Sequence, residues 1–195
     1  MSELLIAAPL RVEALLIRSA THGVPVHTTG MGPVRSQQAS RALRSRPARA
    51  LLVLGFCGGL DERSEPGEVV VAEEVVAATD EGHSPQEVGC DGAQTFATVL
   101  AAKGLRVRSG RVVCVSRLAL GERRAELHAG GAIAVDMESV WLSAGAGDRP
   151  FGVVRVVLDS PSHELLRPQA VAGALRAARV LRTVAGALHE WAPDG

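Results

Sequence analysis

Acidic residues at the ends of two strand-like segments are the side chains of this sequence best placed for chemistry. In Ile133-Ala134-Val135-Asp136-Met137-Glu138-Ser139 a strand pattern gives way at Asp136 to helical spacing, carried by Met137, Val140 and Trp141. In Val153-Val154-Arg155-Val156-Val157-Leu158-Asp159 an apolar run ends on an acid, and Ser160-Pro161 marks the turn beyond. Open α/β sheets carry their chemistry at such strand exits. A carboxylate held there loses part of its hydration, which raises its pKa toward the range where it donates a proton near neutrality. The same residues also suit plainer roles: Asp136 or Glu138 as charge at a helix N-terminus, Asp159 as an N-cap or turn residue.

Two glycine-rich segments follow other strand candidates. Thr28-Thr29-Gly30-Met31-Gly32-Pro33 leads into a helix, where small residues let backbone N–H groups approach an anion or a hydroxyl. Leu54-Gly55-Phe56-Cys57-Gly58-Gly59-Leu60 reads as a tight turn beside the sheet edge. Neither has the spacing of a dinucleotide or nucleotide phosphate loop.

The elements that must position these residues alternate along the chain. Strands are predicted at 4–8, 25–29, 50–54, 68–72, 111–115, 132–135 and 151–158. Helices are predicted at 11–19, 34–45, 93–103, 122–128, 137–144 and 168–191, the last with Pro168 near its first turn. Residues 80–92 read as a loop, punctuated by Gly82, Pro85, Gly89 and Gly92. The alternation implies an α/β fold, a largely parallel sheet with helices on both faces. Without repeats or linkers, residues 1–195 are read as a single domain.

Composition narrows the function further. With 21 basic and 21 acidic residues the formal net charge is zero, which argues against nucleic acid or an anionic membrane surface as partner. Arg41, Arg44, Arg46 and Arg49 read as a solvated face. Cys57, Cys90 and Cys114 form no CxxC pair, and the histidines form no HExxH, so no metal or cofactor is expected. No apolar run is long enough to span a membrane. Ser2-Glu3 leads straight into the first strand without a signal-peptide pattern, and a cytoplasmic protein is expected.

Taken in order, six blocks resemble the purine nucleoside phosphorylase/uridine phosphorylase superfamily. They are Ala8-Pro9-Leu10-Arg11-Val12-Glu13, Thr29-Gly30-Met31-Gly32, Gly55-Phe56-Cys57-Gly58-Gly59-Leu60, Pro66-Gly67-Glu68-Val69-Val70-Val71, Val135-Asp136-Met137-Glu138 and Val154-Arg155-Val156-Val157-Leu158-Asp159. The nearest branch is similar to 5′-methylthioadenosine/S-adenosylhomocysteine nucleosidase, and Val135-Asp136-Met137-Glu138-Ser139 also resembles the hopanoid-associated branch. The resemblance implies a three-layer α/β/α sandwich around a mixed, mostly parallel twisted sheet. It implies hydrolysis of the N-glycosidic bond of a purine nucleoside. Glu13 falls where the nucleosidases keep the carboxylate that deprotonates the attacking water. Glu138 falls where they bind the ribose hydroxyls, with Met137 under the sugar, and Asp159 where an acid protonates the leaving base. Gly30, Gly32, Gly55, Phe56, Cys57 and Gly58 would wall the pocket. A homo-oligomer, a dimer, is implied as well.

The sequence departs from that pattern at several positions. Phe56 and Leu158 stand where the nucleosidases have serine. Val53 and Leu54 occupy the segment where the phosphorylases keep a phosphate-binding arginine, which favours water as acceptor. Arg11 in Pro9-Leu10-Arg11 resembles their phosphate turn, so phosphorolysis, with an adenosyl lipid among the conceivable substrates, stays open. So does a nucleoside-binding relative without catalysis. Ser116-Arg117-Leu118 falls where the base would be held, yet it offers no aromatic, and the sequence has no Tyr. Phe151 and Trp141 read as core residues.

Overall fold

The structure, a computed structural model, describes residues 2–78, 86–163 and 170–191. In β1 (Ser2–Ala8), Leu4, Ile6 and Ala8 pack into one hydrophobic cluster while Leu5 and Ala7 enter another. That two-residue period is what a strand buried on both faces requires. One face is covered by α1 (Arg11–Arg18), α3 (Ala93–Ala102) and α6 (Ala170–Gly186), through Ile17, Phe96 and Leu181. The other is covered by α2 (Pro33–Arg44) and the short α5 (Ser139–Leu142), through Leu43 and Leu142. This is the expected three-layer α/β/α arrangement.

Among the described residues eight strands form the sheet: β1, β2 (Val26–Thr28), β3 (Ala48–Gly59), β4 (Val69–Ala77), β5 (Glu87–Gly89), β6 (Val107–Cys114), β7 (Ala132–Asp136) and β8 (Phe151–Asp159). Five of their pairings are parallel and three antiparallel, so the sheet is mixed and mostly parallel. It also closes on itself: β3 pairs with β8, β8 with β4, β4 with β6, β6 with β7, and β7 again with β3. α4 (Glu122–Ala129) packs Leu127 against this ring with Val113 and Val135.

Three expectations are corrected. The strand expected at 50–54 runs on to Gly59, so Gly55, Gly58 and Gly59 lie in β3 and form no turn. None of the three has a positive φ; they are small because side chains from elsewhere press against them. The helix expected at 137–144 begins only at Ser139 and tightens into a 3₁₀ turn at Ser143–Gly145, because Asp136 and Glu138 are held by partners of their own. The loop expected at 80–92 contains β5, which pairs antiparallel with β4. Pro168, the expected start of the last helix, lies outside the described residues, as do 79–85 within that loop. The arginines at 41, 44, 46 and 49 are exposed, Phe151 is buried, and Trp141 packs half-buried on the same core. Among the described residues no helix is long and apolar enough to cross a membrane.

Candidate active site

Glu13 and Glu138 follow the C-terminal ends of β1 and β7, Asp159 is the last residue of β8, and all three are buried. Glu13 occupies the third position of α1, where a glutamate caps the helix start. Its Oε2 accepts a hydrogen bond from the Leu10 N–H at 2.6 Å. Its Oε1 reaches across to β3 and accepts one from the Phe56 N–H, also at 2.6 Å. The contact works through the Phe56 backbone, so the aromatic side chain at that position does not prevent it. It does require Gly55: a Cβ there would stand 2.6 Å from Glu13 Oε1 and 3.0 Å from Arg155 Nη1.

Arg155 is the member that sequence reasoning missed. It lies in β8 with no exposure at all, and binds Asp136 Oδ2 at 2.6 Å and Glu138 Oε2 at 3.5 Å. Its Nη1 donates to the Phe56 carbonyl at 3.4 Å, beside Glu13. The available signal was an arginine inside an otherwise apolar strand, a position where a charge persists only if paired.

Three carboxylates thus share one guanidinium, and their titration separates. Burial raises Asp136, but Arg155, the Cys114 thiol, the Ser139 hydroxyl and the Glu138 N–H more than offset it, leaving its pKa below the usual range. Glu138 is pushed up to about 7, chiefly by burial and then by the Asp136 charge, against the pull of Arg155. The Gly32 N–H donates to its Oε1 at 3.0 Å, so the Gly30–Gly32 segment reaches the site through its backbone. At Gly32 the backbone adopts φ +88°, a conformation that favours glycine. Glu13 is also raised, first by burial, with Arg155 and the two backbone N–H groups opposing.

Asp159 stands at the other end of the same strand segment. β3 and β8 run in parallel register up to Cys57 and Val157, then Gly58 faces Asp159. Leu158 is therefore the extra residue of a bulge, a device that re-aims the next side chain. Asp159 Oδ2 receives Arg124 Nη2 at 2.5 Å. Gly58 makes room for both: a Cβ there would lie 3.1 Å from Arg124 Nη2 and 3.3 Å from Asp159 Oδ1. A hollow of about 40 Å³ opens here, lined by Asp159, Arg124, Met137, Asp136, Gly58 and Leu118 among others. That volume admits a few waters or the edge of a base.

Of the remaining candidates, Cys57 is buried and its thiol pushed above the ordinary range by that burial, which makes it a wall and not a nucleophile. Arg11 is exposed on the first turn of α1. A roomier cavity, about 560 Å³, lies at the opposite end of the sheet, beside Leu4, His22, Arg49, Pro150 and Trp191.

Comparison with solved structures finds the same fold repeatedly. S-adenosylhomocysteine nucleosidase of Streptococcus pyogenes, in complex with 5-methylthiotubericidin, superposes with a TM-score of 0.78 at 19% identity, covering 96% of this chain and 98% of that one. 5′-Methylthioadenosine/S-adenosylhomocysteine nucleosidase of Neisseria meningitidis, with methylthio-immucillin-A, gives 0.77 at 20% identity, covering 96% and 100%. Futalosine hydrolase of Helicobacter pylori gives 0.78 at 16% identity, covering 97% of each chain. At these identities the likeness establishes the fold. No curated protein sequence matches the chain. A family model does, across residues 12–186, and by that match the chain belongs to the phosphorylase superfamily.

Proposed function

We propose that the protein hydrolyses the N-glycosidic bond of a purine nucleoside of the adenosine type. The observation that carries this reading is the crowding of Glu13, Asp136 and Glu138 around the buried guanidinium of Arg155. Breaking the bond to the base leaves positive charge on the ribosyl ring, and an excess of carboxylates stabilises that charge. Glu13 takes the proton of the attacking water, and burial, by raising its pKa, makes it a stronger base than a free carboxylate. Glu138 accepts from the ribose hydroxyls with Met137 beneath the sugar, and Asp159 lies on the side of the departing base. The nucleosidases of the same fold, which carry nucleoside analogues, support the substrate class.

Water is the acceptor in this reading. A site in which carboxylates outnumber guanidinium groups repels an incoming phosphate. The enzyme acts in the cytoplasm as a homodimer: Val12, Leu15, Met31 and Val34, all more than half exposed, flank Glu13 and Gly32 and would be covered by a second copy. The test is base release from a panel of adenosine derivatives with and without phosphate. Phosphate-independent release supports the reading. Release only with phosphate makes the protein a phosphorylase, and stabilisation by nucleosides without release makes it a binding protein.

A further inference from the structure

We propose that the outer face of α6 is a docking surface for an anionic lipid membrane: Arg176, Arg179 and Arg182 meet the headgroups, and Val171 and Leu175 enter the layer beneath them. The inference concerns where the protein sits and is independent of the reaction proposed above.

Folding unbalances the zero net charge of the sequence. Among the described residues it buries five carboxylates, Glu13, Glu68, Asp136, Glu138 and Asp159, but only two guanidinium groups, Arg124 and Arg155. The charges that these residues leave facing solvent are therefore net basic. α6 is 17 residues long and carries three arginines and no acid. All three are exposed, and their guanidinium groups have no hydrogen-bond or ion-pair partner among the described residues. Val171 and Leu175 are 69% and 56% exposed on the same helix. At about 100° per residue, Val171, Leu175, Arg179 and Arg182 fall within an arc of about 80°. That arc points away from Ala177, Leu181 and Val184, which hold α6 to the core.

The mixture of charge and aliphatic surface selects the partner. Nucleic acid supplies phosphates but nothing to cover two exposed aliphatic side chains, and α6 has no aromatic residue on which a base could stack. A bilayer interface satisfies both, since arginine stems lie along apolar surface while their heads reach the phosphates. Each basic residue near an anionic leaflet strengthens binding about 5-fold, so three contribute about 100-fold. α2 also lacks acids, yet its exposed Arg41 and Arg44 stand two turns from its exposed Val34. The position of α6 gives docking a direction. Its first half packs on Pro66 and Gly67, and the next residue, Glu68, accepts at 2.8 Å from the Val157 N–H, two residues before Asp159. A membrane bound there lies toward the end of the sheet that holds the carboxylates.

The experiment is co-sedimentation of the protein with phosphatidylcholine vesicles, with and without phosphatidylglycerol. Binding is expected only with phosphatidylglycerol, and about 1 M salt, which screens charges within about 3 Å, should release it. Replacing all three arginines (Arg176→Gln, Arg179→Gln and Arg182→Gln) should lower the partition coefficient by about 100-fold. Leu175→Ser should lower it by about 10-fold. Arg176→Lys, Arg179→Lys and Arg182→Lys together keep the charge and should retain binding, which separates loss of charge from loss of fold. Arg41→Gln with Arg44→Gln, on the other face of the sheet, should leave binding unchanged. The proposal is overturned by equal binding to neutral vesicles, by no binding to either kind, or by equal losses in the α2 and α6 variants. Binding to duplex DNA or polyglutamate without binding to vesicles overturns it as well.

Discussion

The Arg155 guanidinium lies 2.6 Å from the Asp136 carboxylate, with both side chains 1% exposed or less. This pair removes Asp136 from chemistry while its charge acts on its neighbours. A buried ion pair adds little net stability, but loss of one partner leaves a buried charge that costs about 3–5 kcal/mol. What the pair does here is divide the three carboxylates into one that is ionised and two whose protons are held more tightly.

Stability should therefore fall between acidic and neutral pH. Burial pushes Glu138 up to about 7 in the folded state from the ordinary 4.5 of the unfolded chain, so the folded state holds this proton more tightly than the unfolded one. That contribution is whole below pH 4.5 and disappears as pH rises through 7, an expected loss of about 3 kcal/mol. Glu138→Gln should flatten the curve across this window. Denaturant melts at several pH values measure it, and an unchanged slope in the variant would reject the assignment.

Activity should run the other way. Glu13 and Glu138 both act as acceptors in the proposed reaction, so kcat/KM should climb as pH rises through about 7 and then level off. In Glu13→Gln the rate should drop by about 100- to 10,000-fold at every pH, with the fold intact by circular dichroism. An undiminished rate would move the role of water activation to another group.

Gly55→Ala tests the contact between α1 and β3. The added methyl would stand 2.6 Å from Glu13 Oε1, and the carboxylate must shift to accept it. Because a displacement near 1 Å costs about 100-fold in a positioned reaction, kcat should fall on that order while KM changes less. Steady-state kinetics would show this, and a change in KM alone would place Glu13 in binding instead.

Gly152→Ala probes the far end of the sheet, away from the carboxylates. A Cβ at this position would come within 2.6 Å of Trp191 Cζ2 and 2.9 Å of Leu52 Cδ1. Overpacking of this kind costs about 1–3 kcal/mol, or roughly 3–10 °C in Tm for a chain of this length. Turnover below the melting range should be unaffected.

Much of the fold was legible because strands buried on both faces leave long apolar runs, as in 4–8 and 151–158, and amphipathic helices separate them. The glycines at 55, 58 and 59 misled, because glycine marks either a turn or a close approach, and only tertiary neighbours decide which. Asp136 and Glu138 were visible as carboxylates, yet sequence could not show that one would be neutralised by Arg155, 19 and 17 residues away respectively. Arg124 was hidden more completely. It sits among the solvated charges of Glu122-Arg123-Arg124-Ala125-Glu126, and only the packing of α4 on the strand ring turns it inward.

Gly55 touches Glu13, and Gly58 touches Asp159 and Arg124, so one uninterrupted strand carries both halves of the proposed chemistry. Three residues of strand span about 10 Å. That interval behaves like a caliper cut into the backbone: mutations in surrounding loops can change which groups trail from a substrate, but the gap its two gripped ends must bridge stays the same.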